Sequence, residues 1–391
     1  MIGSLPVVKI SSQRYTLAHN FTSGSPHLNS FILSSRELSK LVIMALLSTA
    51  AFGLSGLIMI LIMQLMTMQS YATDSVDKHG ISEVQSSRLG GVAVAIGVLV
   101  SMGFLLMNGY RGSSTLAPLG IVWPLWLGAY GCFFLGLLED LRNNSLSPRA
   151  RLAAKSFLLL IVFIFSPGLV PSSIGLWGID WLLGFWWVAL LVTLFFSVGF
   201  INAVNTVDGA NGLVSGIFAI TCFIFLSETN NIAHQSGFYG ASLFLLFNVI
   251  SGRLFLGDSG SYGIGAAMLL VGLESLTMGI VSLPFLAALY FYPCADFSVS
   301  LLRRWHSGAS LTAPDNDHLH NRINTFFKGF FRSKTMANSA TGLSIALGSS
   351  GLVLVIYLAD YISLTSNLWL CVFAFQGALY GLIFMSIGKL K

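Results

Sequence analysis

Residues 185–204 read FWWVALLVTLFFSVGFINAV and contain no charged side chain. About 20 apolar residues are needed for a helix to cross the hydrocarbon core of a bilayer. Similar apolar stretches recur from Leu41 onward, separated by short polar breaks. The pattern predicts an all-α, polytopic membrane protein with about 11 transmembrane helices. The predicted spans cover residues 41–67, 90–108, 119–138, 153–170, 185–204, 212–227, 236–251, 263–279, 281–299, 337–358 and 367–387.

The composition of the 391-residue chain agrees with this prediction. Hydrophobic residues make up 55% and charged residues only 9%, whereas a soluble domain is about 25% charged. This balance excludes a soluble enzyme, a disordered chain and a nucleic-acid-binding protein. Residues 1–40 are polar and lack the apolar core of a signal peptide, so we treat them as an extension before a membrane domain over residues 41–391. The four cysteines lie in apolar stretches without metal-ligand spacing, so they predict no redox or zinc site.

Basic residues predict the orientation of the chain in the membrane, because cytoplasmic loops are enriched in Lys and Arg. If the loop after the first span is cytoplasmic, 15 of the 20 basic residues lie on that side. The other side keeps Arg111 and the four basic residues of the extension, which argue the other way. We therefore expect an extracytoplasmic N-terminus and a cytoplasmic C-terminus.

Five loops on the predicted cytoplasmic side carry most of the carboxylates and the densest clusters of amide and imidazole side chains. The sequences are VDKHGISEVQSSRLGG (76–91), GLLEDLRNN (136–144), INAVNTVDGANGLVSG (201–216), RLFLGDSGSYGIG (253–265) and the 296–332 region, which contains RRW and PDNDHLHNRI. Each loop alone has a plain interpretation. Adjacent acids usually mark a helix end in water, GDSGS is equally consistent with a β-turn, and the His-rich loop is compatible with a solvated segment. The signal for a functional site is the combination. It consists of three acid-bearing loops, an amide cluster and a His-rich loop on one membrane face.

The spacing of the polar residues in the third loop strengthens its functional interpretation. Asn202, Asn205 and Asp208 are separated by three residues each, so they share one helical face. Acidic groups at a membrane edge, with Arg, His and Gly-rich backbone nearby, suit a reaction between two anions. Phosphoryl transfer is the leading case, because a divalent ion and cationic side chains must neutralise the oxyanions. Oxygen ligands without thiolates favour Mg²⁺ or Mn²⁺.

In combination, these loops resemble those of the polyprenyl-phosphate N-acetylhexosamine-1-phosphate transferases, over about residues 41 to 390. The motifs are the acidic pair after the third span, N-x-x-N-x-x-D-G-x-x-G-L, F-x-G-D-S-G-S and D…RR…P-D-x-x-H-L-H. The resemblance implies transfer of a sugar 1-phosphate from a UDP-sugar to undecaprenyl phosphate, with release of UMP and use of Mg²⁺. It places the site on the cytoplasmic face of the inner (plasma) membrane. A homodimer is left open, and no nucleic acid is expected.

The resemblance also implies roles for individual residues. Asp258 matches the metal ligand, and Glu139 and Asp140 match the acidic pair near the metal and the lipid phosphate. Asp140 is therefore expected as a second ligand. The catalytic set implied is Glu139, Asp140, Asp208, Asp258, His318 and His320. The substrate-binding set implied is Asn202, Asn205, Asn211, Phe255, Arg303, Arg304 and Asp315, with Phe255 stacking on uracil.

Three positions depart from the family pattern. Glu139 replaces an Asp, Asn211 replaces an Asp that helps to read uracil, and Asn321 replaces a common His. The HLHN sequence most resembles the N-acetylglucosamine branch of the family, so UDP-GlcNAc is the expected donor and another UDP-N-acetylhexosamine is the alternative.

A direct displacement is the expected mechanism, and a route through an aspartyl-phosphate is also compatible with the sequence. Two other classes stay open, an anion transporter and a catalytically inactive lipid-binding relative.

The orientation gives a first testable prediction. In a variant free of native cysteines, single cysteines at positions 143 and 316 should react with thiol reagents from the cytoplasmic side, and one at position 113 from the outside. Labelling of position 143 from outside intact cells would overturn the orientation.

Overall fold

The computed structural model describes residues 34–69, 72–74, 86–109, 122–142, 145–310 and 315–388. The regular secondary structure of these parts is helical, apart from a two-residue antiparallel pairing of β1 (Thr73–Asp74) with β2 (Ser86–Ser87) and an isolated bridge between Ser87 and Leu254. The helices are α1 Ser35–Met66, α2 Gly90–Met107, α3 Val122–Arg142, α4 Pro148–Phe165, α5 Trp177–Leu183, α6 Trp186–Val207, α7 Leu213–Thr229, α8 Ile232–Ser251, α9 Gly257–Thr277, α10 Leu283–Leu289, α11 Phe291–His306, α12 Leu319–Lys328, α13 Lys334–Ala346, α14 Leu352–Leu358 and α15 Trp369–Ser386. The prediction of an all-α membrane protein is confirmed.

Each predicted span contains one of these helices or a helical pair, but the count of eleven crossings stays a prediction. Five of the described helices are long and apolar enough to cross a membrane, or six if one bent pair is a single span. The bent pair is α10 and α11, which meet at 78° beside Tyr290. The sequence predicted a continuous span over residues 281–299, and the structure corrects this to two helices that meet at a sharp bend.

The start of the first helix also differs from the prediction. The Ser34 hydroxyl accepts a hydrogen bond from the Glu37 backbone N–H at 3.3 Å, and α1 begins at Ser35 rather than at Leu41. This N-cap explains the difference, because it lets residues assigned to the polar extension form the first turns of the helix. Residues 1–33 lie outside the described part of the chain.

The outer surface of the bundle is apolar. Trp187, Phe195 and Phe196 on α6 are each about two-thirds or more exposed, as are Val355 and Met385 near the C-terminus. Water would not solvate such a surface, whereas lipid chains would. The exposed faces therefore confirm a protein embedded in a bilayer.

Helix α9 lies inside the bundle and packs against α2, α3 and α6. Glycines set the distance of closest approach. A Cβ placed on Gly136 of α3 would lie 2.2 Å from the Asp258 carbonyl oxygen, and one on Gly91 of α2 would lie 2.2 Å from the Gly260 nitrogen. Both neighbours are backbone atoms that cannot rotate away. The first turn of α9 is therefore held between α2 and α3 by glycine contacts.

These contacts give a second prediction. Gly136→Ala should lower the midpoint of thermal unfolding, because the new methyl group must push α3 from α9, and overpacking costs about 1–3 kcal/mol. Gly199→Ala on α6 is the matched control, since a Cβ there meets no atom within 4 Å. Equal unfolding midpoints for the two purified variants would show that the α3–α9 contact is not tight.

Candidate active site

The site is built around the N-terminus of α9. The two carboxylate oxygens of Asp140, at the end of α3, accept hydrogen bonds from the backbone N–H groups of Asp258 and Ser259, at 3.0 and 2.8 Å. The first N–H groups of a helix have no partner within the helix, and the helix dipole favours a negative charge there. GDSGS is therefore the first turn of a helix capped by Asp140, and not a β-turn.

The neighbouring acid, Glu139, is fully buried and faces the turn between α3 and α4. Its Oε1 atom accepts hydrogen bonds from the Ser145 hydroxyl at 3.1 Å and from the Leu146 N–H at 2.9 Å. Its Oε2 atom lies 3.5 Å from Arg151 Nε. The two acids thus mark a helix end, as the plain interpretation held, but they are buried and each anchors a different segment.

Asp258 and Asp208 carry the carboxylates that the fold leaves unengaged. Among the described residues, neither side chain accepts a hydrogen bond from a protein group. Asp208 follows the last residue of α6, and burial together with the nearby charges of Asp258 and Asp140 raises its pKa well above the ordinary value. Three carboxylates from three loops are therefore close enough to repel one another, and a cation would relieve that repulsion.

The amide face of α6 lies beside this acidic cluster, which we define as Asp140, Asp208 and Asp258. Asn205 Oδ1 accepts a 2.6 Å hydrogen bond from the Ser261 hydroxyl of α9. Asn202 Oδ1 accepts a hydrogen bond from the ammonium group of Lys155 on α4. The predicted common face of Asn202, Asn205 and Asp208 is present, with the helix continuing to Val207.

Lys155 is a buried cation beside the acidic cluster, and the sequence indicated no role for it beyond its charge. It is 1% exposed, its Nζ atom lies 4.0 Å from the centre of the Tyr262 ring, and it is close enough to Asp258 to interact electrostatically. Arg88 and Arg151 also act on Asp258. A lysine in the first turns of an otherwise apolar span was the available signal, because a buried ammonium group is seldom kept without a partner. Cations therefore line the cluster on one side.

The His-rich loop is fixed by a buried network. Asp296 of α11 accepts hydrogen bonds from His318 Nδ1 at 2.7 Å, from the Leu319 N–H at 2.9 Å and from the Tyr380 hydroxyl at 2.9 Å. With Nδ1–H donating to a carboxylate, Nε2 of His318 is left for an external partner. Asp296 could not be assigned a role from the sequence, because a carboxylate inside a predicted span gives no indication of which side chain it meets.

His320 joins this loop to the third one. Its ring stacks on His318 with 5.3 Å between centres, and its Nδ1 atom lies 3.3 Å from the Tyr292 hydroxyl. Burial lowers the pKa of His320 to about 4. A Cβ on Gly209 would lie 2.6 Å from His320 Nε2, so this histidine touches the backbone beside Asp208. The loops predicted to converge therefore meet at this point.

The acidic end of the same loop is held by arginines. Asp315 accepts hydrogen bonds from Arg303 and from the Ser300 hydroxyl, and these bonds lower its pKa to about 2 despite partial burial. Asp317 forms a two-bond pair with Arg322 at 2.7 and 2.8 Å. Arg304 donates to Ser300 Oγ at 3.1 Å. Arg303 is thus engaged in ordering the loop, and phosphate binding by Arg303 or Arg304 stays a prediction.

Two residues expected to bind uracil have different surroundings. Asn211 is 4% exposed, donates to Ser339 Oγ at 3.3 Å and accepts from Asn248 Nδ2 at 3.4 Å. Phe255 is half-buried, and its backbone pairs with Ser87 and Gly90. Asn211 therefore joins the turn between α6 and α7 to α8 and α13. Phe255 borders the site, and its backbone hydrogen bonds join the segment before α9 to the segment at the start of α2. Their uracil contacts stay predictions.

Residues 122–276 match the model of glycosyl transferase family 4. The chain is 26% identical to a probable undecaprenyl-phosphate N-acetylglucosaminyl 1-phosphate transferase of Bacillus subtilis, over 65% of the chain and 70% of that protein. It is 28% identical to a decaprenyl-phosphate N-acetylglucosaminephosphotransferase of Mycobacterium leprae, over 60% of the chain and 66% of the relative.

A phospho-N-acetylmuramoyl-pentapeptide-transferase of Desulforamulus reducens is 30% identical, over 46% of the chain and 57% of the relative. The matched family region contains the acidic cluster and Lys155, and it ends before the His-rich loop. The resemblance found in the loop motifs is therefore confirmed: this membrane protein is similar, over residues 122–276, to the transferases of glycosyl transferase family 4.

Proposed function

We propose that this protein transfers N-acetylglucosamine 1-phosphate from UDP-GlcNAc to undecaprenyl phosphate, releasing UMP and beginning a lipid-linked glycan. The observation that carries the proposal is the acidic cluster, with unengaged carboxylates on Asp208 and Asp258, between buried Lys155 and the His-rich loop. The Bacillus and mycobacterial relatives support the sugar phosphate and the polyprenyl acceptor through their names. Another UDP-N-acetylhexosamine is the alternative donor.

The reaction balances as a direct displacement. An oxygen of the lipid phosphate attacks the phosphorus that bears the sugar, the bond from that phosphorus to the bridging diphosphate oxygen breaks, and UMP leaves with the bond's electrons. A phosphate monoester is largely ionised at neutral pH, since its second pKa is about 6. No strong base is therefore required, and the residues act by positioning and by neutralising charge.

A divalent cation fits the cluster chemically. Mg²⁺ keeps several waters and is commonly held by one or two carboxylates together with substrate phosphates. Asp258 and Asp208 would supply those carboxylates. Asp140 was expected from the sequence as the second ligand, but both of its carboxylate oxygens accept hydrogen bonds from the first turn of α9, so we assign it to holding that turn in place. Among the described residues, no group of three or more His, Cys, Asp or Glu side chains is arranged to hold a metal ion. When bound, the cation would neutralise the diphosphate.

The cationic residues have complementary tasks. Lys155 is held by Asn202 and Tyr262, and its charge would face the phosphate nearest Asp258. His318, oriented by Asp296, would donate or accept through Nε2 toward the sugar or diphosphate. The lipid acceptor requires a site at the membrane edge. We place that edge at the cytoplasmic face of the inner membrane, from the distribution of basic residues.

The experiment on the proposed reaction measures transfer from radiolabelled UDP-GlcNAc to undecaprenyl phosphate by purified protein. Asp258→Asn should reduce turnover about 10²–10³-fold, because it removes a charge that stabilises the reacting phosphates. The variant should insert and purify like the wild type. Near wild-type turnover at limiting Mg²⁺ would remove Asp258 from the proposed ligands.

A matched control is Asp180→Asn. This carboxylate lies on α5, beyond the far end of α4, and accepts a 2.7 Å hydrogen bond from the Ile174 N–H. The substitution removes the same charge from another part of the molecule, so turnover should change little. A comparable loss in both variants would point to a general effect on folding.

The donor is tested by competition among UDP-sugars. UDP-GlcNAc should compete best, with UDP-N-acetylhexosamines ahead of UDP-glucose, because the proposal requires recognition of the 2-acetamido group. Preference for a donor without that group would contradict the assignment of the sugar and leave the phosphotransfer proposal intact.

A further inference from the structure

A cavity of about 400 Å³ lies among α2, α3, α7, α8 and α9. One face of α9 forms its floor, from Ser259 and Gly260 at one end to Glu274 at the other. Fifteen residues of helix separate Ser259 from Glu274, which is about 22 Å at 1.5 Å per residue. The cavity is therefore long enough to follow an apolar chain through most of the hydrocarbon core, which is about 30 Å thick.

The walls of this groove are almost entirely apolar. They include Val98 and Leu106 of α2, Trp126 and Phe133 of α3, and Ala267 of α9. Leu106 is 61% exposed, so the groove opens on the apolar outer surface. A chain from the surrounding bilayer could enter there without crossing a polar barrier.

Glu274 is the exception in this lining. Its side chain is 95% buried, and it accepts no hydrogen bond and forms no ion pair with any residue that the structure describes. It belongs to the last turn of α9, where the helix dipole is negative. The ionised form of a carboxyl group at this position is disfavoured by burial and by the dipole, so that form needs a cation or a hydrogen-bond donor.

The same end of the groove carries two other polar side chains. Asn231 caps α8 through its Oδ1 atom, which accepts from the Ala233 N–H at 2.8 Å. His234 lies 2.9 Å from the Thr229 hydroxyl through Nδ1. Both groups are thus partnered within the protein. At the opposite end of the groove the Ser259 hydroxyl is buried without a hydrogen-bond partner, so Glu274 is the unpartnered acidic group among the lining residues that the structure describes.

We propose that this groove binds one apolar chain of a bilayer lipid whose primary ammonium head group pairs with Glu274. The apolar walls accommodate the chain, and the carboxylate at the helix end selects a positively charged donor. The polyprenyl acceptor fits less well, because its phosphate must lie beside Asp258 and its apolar tail would then reach an unpartnered carboxylate. The inference is independent of the reaction proposed above.

The test measures lipid retention. Purified protein is equilibrated with equal amounts of phosphatidylethanolamine, phosphatidylcholine and phosphatidylglycerol of identical acyl composition, and bound lipids are counted by native mass spectrometry. Wild-type protein should retain phosphatidylethanolamine about tenfold over the other two lipids, the scale of one hydrogen bond to a charged group. Glu274→Gln, which keeps the size of the side chain, should abolish that preference.

Two further variants separate the head group from the chain. Ala267→Phe fills the groove and should reduce retention of phosphatidylethanolamine, with its folding checked by size-exclusion chromatography. If that variant does not fold, the loss of the preference for phosphatidylethanolamine in Glu274→Gln is sufficient to test the proposal. Glu228→Gln is the control, because Glu228 lies at the corresponding end of α7 and accepts a 2.7 Å hydrogen bond from the Tyr357 hydroxyl. It should retain lipid like the wild type.

Several results would overturn the inference. They are equal retention of the three lipids by wild-type protein, an unchanged preference in Glu274→Gln, and loss of the preference in Glu228→Gln to the same extent as in Glu274→Gln. Displacement of phosphatidylethanolamine, one molecule for one, by undecaprenyl phosphate would assign the groove to the acceptor instead.

Discussion

The two hydrogen bonds from the first turn of α9 to Asp140 determine where the reactive groups of this protein can lie. A helix end exposes N–H groups and a partial positive charge, and a carboxylate satisfies both. Gly257 makes this arrangement possible. Its φ of 72° is a conformation that suits glycine, and a Cβ built on it would lie only 2.7 Å from Asp140 Oδ2. With α9 fixed in this way, Asp258 is held at the membrane edge beside Asp208.

The cost of this arrangement is electrostatic. Three carboxylates within reach of one another, partly removed from water, are each less stable in the ionised form. Burial, and after it repulsion by Asp258 and Asp140, raises the pKa of Asp208 well above its ordinary value. Lys155 and Arg151 offset part of it from α4. In the proposed reaction, the remaining negative charge would attract a divalent cation, and the cation would in turn allow an anionic donor and an anionic acceptor to approach. The separate groove along α9 ends at Glu274, where a lone carboxylate has no such compensation among the described residues.

Much of this site follows from the sequence, for identifiable reasons. Loop motifs such as FLGDSGS and PDNDHLHN have fixed spacing, and the membrane confines their loops to two faces, so Asp258, Asp208 and His320 could be brought together without coordinates. Lys155 and Asp296 could not be assigned roles from the sequence. Their partners are distant in the chain, and the local periodicity of a sequence does not show which helices contact one another. The break between α10 and α11 was also missed, since hydropathy measures how apolar a segment is and not whether it is straight. Asn211 matched a motif position, yet its amide packs against Asn248 and Ser339.

The central claim is that Asp208 and Asp258 together hold one divalent cation at the end of the helix that Asp140 fixes. Electron paramagnetic resonance of Mn²⁺ titrated into purified protein with UMP measures this directly. The account predicts one bound Mn²⁺ per chain in the wild type and loss of that site in Asp208→Asn, while Asp180→Asn binds normally. Unchanged binding of Mn²⁺ by Asp208→Asn would contradict the account.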